Sequence, residues 1–429
     1  MTEPTEPALP PPTAVIQKPL IHNRNFALLW SSQTASLAGF SATLIVFPLL
    51  VLAITGSPAD SGIVLGVASA AQLVAGLPAG ALADRWNRKK IMVGCEAAQA
   101  LAVAVLVGTL WLHTVSVPVI IVVAAVLGGA KALFVPAEMA CLPAVVPVGQ
   151  LSSAVALNVA RAGVGQLSGT AAGGFLFAIG RAVPFVADAL THALATVALC
   201  FLRLPERPRT RAPLPQLGRE IVAGLRWSWR QPHVRITALC AITLNFFFTA
   251  YYVVIIVLAK MDGSSSGEIG VMAAMLGLGG IVGSLAAPYL LRKLSPYQSI
   301  IGVFLVMALI TPLAVFIHSG YLMGALFAGM ALVPPTANTT INTYQLLLTP
   351  DDLRGRLSGV MAVVGGVSTS TGPAFGGVLM QVFPGHAAVL LCTAGIAGLT
   401  LLFALNPTLR TFPRPDSVGQ QTTQTVETH

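Results

Sequence analysis

Apolar segments long enough to cross a lipid bilayer follow one another along almost the whole chain of 429 residues. A helix needs about 20 mostly apolar residues to cross roughly 30 Å of hydrocarbon, and lipid admits only helices and closed barrels as spanning structures. Such segments lie at about residues 27–53, 62–83, 91–112, 117–140, 154–178, 183–203, 236–258, 268–290, 298–318, 320–345, 357–382 and 387–406. We therefore predict an all-α membrane protein with twelve transmembrane helices.

Prolines interrupt two of these segments. Pro136 and Pro143 lie in or just after the fourth segment, and Pro334 and Pro335 lie within the tenth. Proline lacks a backbone donor and its ring clashes with the preceding helical turn. We therefore expect the fourth and tenth helices to kink or to end early at these positions.

The scarcity of charge excludes a large soluble domain. Charged residues make up 9% of the chain and hydrophobic residues 55%, whereas soluble domains carry roughly 25% charged residues. The five cysteines lie in or beside apolar segments and form no metal-type pair. The sequence also has no phosphate-binding loop and no nucleophile–base motif. We expect no metal, no cofactor and no enzymatic activity.

The basic residues indicate the direction of the helices. All but four of the 24 Lys and Arg residues lie at the termini or in loops that follow even-numbered segments. The exceptions are Arg181 and Lys260 in the opposite loops, and Lys131 and Arg161 within segments. The positive-inside rule then places both termini in the cytoplasm, in the inner (cytoplasmic) membrane. The net charge of +9 therefore follows from topology, and no aromatic-basic motif indicates nucleic-acid binding.

The longest polar connection, residues 204–235, divides six segments from six. It starts with a proline-rich stretch and continues as an amphipathic segment from Gly218 to Arg230, which we interpret as a helix lying along the inner membrane surface. The predicted units are a disordered cytoplasmic tail at 1–20, an N-terminal six-helix bundle at 21–203, this linker, a C-terminal six-helix bundle at 236–406 and a disordered cytoplasmic tail at 407–429.

The two halves partly repeat each other. A shift of 203 residues places Gly76 on Gly279, Gly80 on Gly283, Gly163 on Gly366, Gly169 on Gly372 and Gly173-Gly174 on Gly376-Gly377. Coincidence in a chain rich in Gly and Ala is the alternative explanation. Because six segments separate equivalent positions, the repeated helices run in the same direction, as in the two halves of major facilitator carriers.

The loop between the second and third segments carries a charged motif. It reads Gly80-Ala81-Leu82-Ala83-Asp84-Arg85-Trp86-Asn87-Arg88-Lys89-Lys90. This pattern resembles the signature loop of the major facilitator superfamily, with Asn87 in place of the usual Gly; Asn also tolerates a left-handed backbone. The resemblance implies that Asp84 latches the cytoplasmic side against the eleventh helix. Arg85 and Arg88 would support this latch, and Gly80 would let the helices approach.

Further motifs narrow the resemblance to one branch of this superfamily. They are Asn25-Phe26 to Trp30, Thr55-Gly56-Ser57-Pro58, Pro147 to Asn158, and Gly224-Leu225-Arg226-Trp227 to Gln231-Pro232. The pattern is similar to that of macrolide-efflux and enterobactin-exporter carriers over about residues 20–406. These carriers are generally regarded as proton-coupled antiporters, so the resemblance implies transport, and export in particular.

The fifth and eleventh segments are rich in glycine. Gly169 and Gly173 belong to a series that resembles the antiporter motif of exporters, although Thr170 takes the place of its usual proline. The eleventh segment keeps that proline, in Gly372-Pro373, and continues to Gly376. Small residues allow helices to pack closely, and packing explains the pattern as well as an antiport role does.

Several charged residues fall within the segments of the first half, where a charge is costly and usually faces a partner or a cavity. Asp188 and His192 are four residues apart and share a helix face, so we expect them to carry the coupling proton. Hydrogen bonding to a neighbouring helix is the plainer alternative. Glu138 and Arg161 are positioned to pair between the fourth and fifth helices, in a structural, gating or coupling role. Glu96 and Lys131 are similarly placed in the third and fourth.

The substrate-binding candidates are amides and aromatic residues, which suit amphipathic ligands. They are Gln33 in the first segment and Asn245, Phe248, Tyr251 and Tyr252 in the seventh. Lipid-facing or packing roles are the alternative for each.

We expect a secondary transporter that exports small amphipathic molecules, drug-like or siderophore-like, in exchange for protons by alternating access. Uptake or facilitated diffusion of a small solute is the second hypothesis. A membrane receptor or scaffold is the third, but no loop is long enough for a folded soluble domain. The expected partners are a small-molecule substrate, protons and membrane lipid, with no nucleic acid, and the protein is expected to be a monomer.

Overall fold

The computed structural model describes residues 20–204, 226–227, 229–347, 349, 351–383 and 385–411. These residues form helices and short connections and contain no β-strand. The predicted all-α class is therefore confirmed. Both tails and most of the predicted linker helix between Gly218 and Arg230 lie outside the described residues.

Twelve long helical segments follow the twelve apolar runs. Their bounds are α1 Arg24–Thr55, α2 Pro58–Arg85, α3 Arg88–Trp111, α4 Val117–Val145, α5 Leu151–Ile179, α6 Val183–Cys200, α7 Pro232–Met261, α8 Ser266–Lys293, α9 Pro296–Ile310, α10a Gly320–Leu332, α10b Pro334–Leu347, α11 Asp351–Val382 and α12 His386–Leu405. Eleven of the described segments are long and apolar enough to span a membrane, counting the ninth as Pro296–Phe316, in which a short 3-10 helix continues α9, and the tenth as Gly320–Gln345. The twelfth, α11, has 32 residues.

Polar caps start several helices a few residues before the apolar runs. The side chain of Asn23 accepts from the backbone of Asn25 and Phe26 at the start of α1. Ser265 and Glu268 form a capping box at the start of α8. Such caps satisfy the first backbone N–H groups of a helix. They are short-range signals that hydropathy alone does not detect.

The prolines act differently in the two segments that contain them. Helix α4 continues through Pro136 and Pro143 to Val145. The tenth segment breaks at Val333, between α10a and α10b, directly before Pro334. The expected break in the tenth segment is confirmed, whereas the fourth helix does not end early.

Helices α1–α6 pack mainly with one another, and so do α7–α12. Glycines bring α5 against α1 and α11 against α7. A methyl group at Gly169 or Gly173 would overlap α1 at Ala38 or Ala42. A methyl group at Gly372 or Gly376 would overlap α7 at Phe246 or Ala250. Gly372 and Gly376 lie 203 residues after Gly169 and Gly173, so the repeated glycines serve an equivalent helix packing in both halves.

Two seams join the halves, α2 with α11 and α5 with α8. The closest approach in each is between backbones: Gly377 lies against Gly62, and Gly174 lies against Gly270. Pro373 presents its carbonyl oxygen to Gly62 at the first seam. All four glycines lie near the start of α2 or α8 or near the end of α5 or α11, so the two seams close the same end of the molecule.

The opposite end, where α1 begins, is open. A methyl group at Gly80 in α2 or at Gly359 in α11 would meet no heavy atom within 4 Å. Apolar side chains of the seam helices are exposed toward that end, with Val159 69% and Leu285 78% exposed. A cleft therefore lies between the halves and opens on the side where α1 begins and α12 ends.

Candidate functional site

A buried polar cluster links α1, α3 and α6 inside the first half. Its centre is His192, whose Nδ1 lies 2.7 Å from Glu96 Oε2 and whose Nε2 lies 3.2 Å from Asp188 Oδ1. The three side chains are almost completely enclosed, with exposures of 1% for Glu96, 0% for Asp188 and 1% for His192. An imidazole between two carboxylates is a group that can hold and release protons at membrane depth.

Helix α1 supplies the hydrogen-bond donors of this cluster. Gln33 Nε2 donates to Glu96 Oε1 at 3.0 Å, and the Ser36 hydroxyl donates to Glu96 at 3.0 Å. Two turns after Ser36, the Thr43 hydroxyl donates to Asp188 Oδ2 at 2.6 Å. The cluster thus consists of two carboxyl groups and one imidazole, contributed by α3 and α6 and hydrogen-bonded by α1. Any change in its protonation therefore acts on three helices of the same bundle.

A second buried pair joins α4 to α5. Arg161 contacts Glu138 through both terminal nitrogens, with Nη1–Oε1 at 2.7 Å and Nη2–Oε2 at 3.0 Å. Both residues are buried, at 8% and 4% exposure. The Nη2–Oε2 contact is a hydrogen bond, and a charge-assisted bond of this kind gives the pair direction as well as energy. The structure thus brings together the two residues that the sequence placed at similar depth.

Glu96 and Lys131 do not pair in the same way. Glu96 is held by α1 and α6, whereas the Lys131 ammonium lies over the Phe40 ring of α1, 3.9 Å from its centroid. Lys131 is half-buried and lies midway along α4. Beyond it on the same face, Val135 and Met139 are exposed by 47% and 50%.

The corresponding face in the second half is polar. Under the 203-residue shift, Val135 and Met139 correspond to Asn338 and Asn342 of α10b, and both asparagines are exposed. One half therefore presents an apolar stripe next to a lysine, and the other presents amides. Such a combination suits amphipathic molecules.

The predicted substrate-binding residues take different positions. Gln33 is 6% exposed, and its side chain is hydrogen-bonded to Glu96. Tyr251 is 0% exposed, and its hydroxyl donates to the Thr311 carbonyl at 2.8 Å. Neither reaches an open surface in this conformation, because the polar atom of each is directed to a partner in its own half.

The remaining candidates are half-buried residues of α7. Asn245 donates to the Ala241 carbonyl at 2.8 Å. Tyr252 stacks on Phe327, with ring centroids 6.1 Å apart and an interplanar angle of 18°. Phe248 packs at the edge of the main hydrophobic core. These three stay predicted contacts for a substrate.

The signature loop joins α2 to α3 at the open end. Arg88 donates to the carbonyls of Ala83 and Ala140, at 3.3 Å and 2.6 Å, and so ties the loop to α4. Asn87 has a φ of −67° and caps α3 by accepting from Lys90 N. It replaces glycine here as a capping residue, not as a left-handed one. The side chain of Asp84 lies outside the described residues, so its predicted latch role stays a prediction.

Gly80 does not lie at a helix contact in this conformation, because a methyl group there would meet no heavy atom within 4 Å. Beside the loop, a groove of about 620 Å³ runs between α3 and α4 within the first half, with Trp86 and Lys90 at its rim and Cys95 and Leu133 on its walls. It lies apart from the cleft between the halves.

Sequence reasoning missed Ser36 and Thr43 and set Glu96 beside Lys131 instead of His192. Their signal was present, since hydroxyls inside a membrane segment require partners. Their partners are 60 and 145 residues away in the chain, so no short-range spacing connects them. In the described residues, no group of three or more His, Cys, Asp or Glu is arranged to hold a metal ion.

Known proteins resemble this chain in sequence and in fold. The multidrug efflux pump Tap of Mycolicibacterium fortuitum is 28% identical over 406 residues, covering 89% of this chain and 95% of Tap. The enterobactin exporter EntS of Salmonella typhimurium is 25% identical over 405 residues, covering 92% and 95%.

Two solved structures share the fold. The nucleoside transporter NupG matches with a TM-score of 0.72 at 12% identity, covering 91% of this chain and 100% of NupG. A bacterial homolog of the human lysosomal transporter Spinster matches with a TM-score of 0.67 at 17% identity, covering 90% and 94%. The family model of the Major Facilitator Superfamily matches residues 29–373. Twelve helices in two repeated halves around a cleft, together with this match, establish that the chain belongs to the major facilitator superfamily and is a multi-pass membrane transporter.

Proposed function

We propose that this transporter exports small amphipathic organic molecules across the inner membrane in exchange for protons. The observation that carries the proposal is the enclosed Glu96–His192–Asp188 cluster in the half that also borders the cleft. Titratable groups are retained at membrane depth when they serve transport. The similarity to Tap, a multidrug efflux pump, and to EntS, an enterobactin exporter, supports export as the direction.

Alternating access supplies the mechanism. The cleft is open at one end and closed by the two glycine seams at the other, and rocking of the halves exchanges these states. Protonation changes the charge of the cluster and with it the attraction among α1, α3 and α6. A ligand or proton shifts such an equilibrium only through its different affinity for the two states. The cluster therefore couples proton movement to transport if its proton affinity differs between the two states.

The topology is part of the same proposal. Basic loops place both termini in the cytoplasm, so the open end of the cleft faces inward. The protein acts as a monomer, with its apolar outer surface in contact with membrane lipid. Uptake of a small solute is the second candidate, because the fold is also that of transporters such as NupG and does not set direction.

Accumulation assays test the proposal. Cells with and without the protein are exposed to fluorescent dyes, macrolides and catecholate siderophores, before and after addition of a protonophore. We expect at least one class to accumulate less in cells that contain the protein, and the protonophore to abolish the difference. Greater accumulation in those cells would favour uptake.

The variant Asp188→Asn tests the coupling step. We expect it to lose transport driven by a proton gradient while it still exchanges labelled for unlabelled substrate, because exchange needs no net proton movement. Asp262→Asn, the same change at an exposed residue that ends α7, is the control and should behave as wild type. Normal proton-driven transport by Asp188→Asn would refute the role of the cluster.

A further inference from the structure

Lys131 differs from the other charged side chains at membrane depth. Glu96 and Asp188 share His192, and Glu138 holds Arg161. Among the described residues, no carboxylate lies within ion-pair distance of Lys131, whose contact is the face of Phe40. An aromatic face attracts a cation but has no net charge. The ammonium therefore has no ion-pair partner among the described residues.

The position of Lys131 makes that charge accessible. The cluster around His192 is sealed, whereas Lys131 is half-buried and has exposed Val135 and Met139 one and two turns away. Arg161, the other cation at this depth in the first half, is paired with Glu138. An unpaired charge inside a membrane protein generally faces a cavity or a functional partner.

The surroundings specify the rest of the ligand. Val135 and Met139 form an apolar stripe beside the ammonium, and the equivalent stripe of α10b presents the amides of Asn338 and Asn342. A molecule that matches the ammonium, the apolar stripe and the amides has an anionic oxygen group, an apolar body and further polar substituents.

We propose that Lys131 binds the anionic group of the substrate and that the transported molecules are amphipathic organic anions, with a carboxylate or an ionised phenol on an apolar body. This inference rests on the proposed function in that it takes the cleft as the substrate path. Ammonium-to-carboxylate contacts are charge-assisted and stronger than neutral hydrogen bonds, so Lys131 selects by charge while the apolar stripe contributes binding that is independent of charge.

Binding of three matched probes to the purified full-length protein tests the inference. The probes are pyrenebutyrate, pyrenebutanol and a pyrenebutyl-trimethylammonium salt, which share one apolar body and differ in charge. We expect wild type to bind the anion about tenfold more tightly than the alcohol, which corresponds to about 1.4 kcal/mol, and to bind the cation most weakly. Lys131→Met should remove this preference and leave binding of the alcohol unchanged.

Two further variants separate binding from structure. Lys131→Arg retains the charge and should retain the preference for the anion. Lys293→Met removes a lysine that also lies over an aromatic ring, that of Tyr289 at 4.6 Å, but at the end of α8; it should bind as wild type. If Lys131→Met keeps the preference, or if wild type binds the three probes equally or not at all, the inference is overturned.

Transport of the same probes is measured separately in proteoliposomes with an imposed proton gradient. Charge-selective binding without proton-driven transport would refute the proposed function and leave the role of Lys131 intact. Proton-driven transport of only the alcohol and the cation would support the proposed function and refute the role of Lys131.

Discussion

The two halves of this transporter share a backbone plan but differ in the chemistry they bury. The spans of the first half hold Glu96, Lys131, Glu138, Arg161 and Asp188 away from their ends, whereas charged residues in the second half lie only near the ends of its spans. The glycines at the packing positions are nevertheless repeated in both. Close helix approach is required in each half, and buried charge is costly, so charge is confined to the half that uses it.

The largest expected effect concerns the Glu138–Arg161 pair, which has no counterpart in the second half. Arg161→Met leaves a buried carboxylate without its partner, and we expect a loss of about 3–5 kcal/mol in the free energy of unfolding. The double variant Glu138→Gln/Arg161→Met should recover much of this loss, because no unpaired charge remains. Unfolding in detergent–denaturant mixtures measures both.

The matched change in the second half is Asn342→Leu, at an exposed position of α10b. We expect its effect on stability to stay within about 0.5 kcal/mol. Equal destabilisation by Arg161→Met and Asn342→Leu would contradict the division between a charged and a neutral half.

The two seams between the halves should respond equally to a larger side chain. Gly174→Val and Gly377→Val each place side-chain atoms where backbone from the other half already lies, and overpacking typically costs about 1–3 kcal/mol. We expect similar losses of thermal stability and a similar decrease in transport. Gly108→Val, at a position with no heavy atom within 4 Å of the added group, is the control. A decrease at only one seam would show that the repeat is not functionally symmetric.

The smallest effects compare one buried hydrogen bond in each half. Thr43→Val removes a donor to the Asp188 carboxylate, and Tyr251→Phe removes a donor to a neutral carbonyl. Hydrogen bonds between membrane helices contribute about 0.6 kcal/mol on average and about 1.7 at most. We expect Thr43→Val near the upper value and Tyr251→Phe near the average. Thermal unfolding in detergent ranks them, and the reverse order would weaken the comparison.

Hydropathy was sufficient to locate every span, because the length of a helix that crosses lipid is set by the membrane. It did not distinguish the prolines of α4, which the helix accommodates, from those of the tenth segment, which break it. That outcome depends on how neighbouring helices satisfy the freed backbone groups, and no local pattern contains this information.

The functional residues also divide into contacts that local spacing predicts and contacts that depend on tertiary packing. Asp188 and His192 are one helical turn apart, so their proximity was readable from spacing. The contact of His192 with Glu96 joins residues that are 96 positions apart and depends on tertiary packing. Tyr251 was expected at a binding surface, but the rotation of α7 about its own axis places it in the core. An aromatic residue in a membrane helix does not by itself indicate which way it faces.

Among the described residues, few polar side chains connect the halves at the closed end of the cleft. One exposed hydrogen bond, from the Ser57 hydroxyl to Gln381 at 3.4 Å, connects α2 and α11 there; the closest approaches are glycine against glycine. Dispersion between bare backbones falls off steeply with separation and is insensitive to ionic strength. The rate at which this end opens should therefore vary little with salt and more with the lateral pressure and acyl-chain order of the surrounding bilayer.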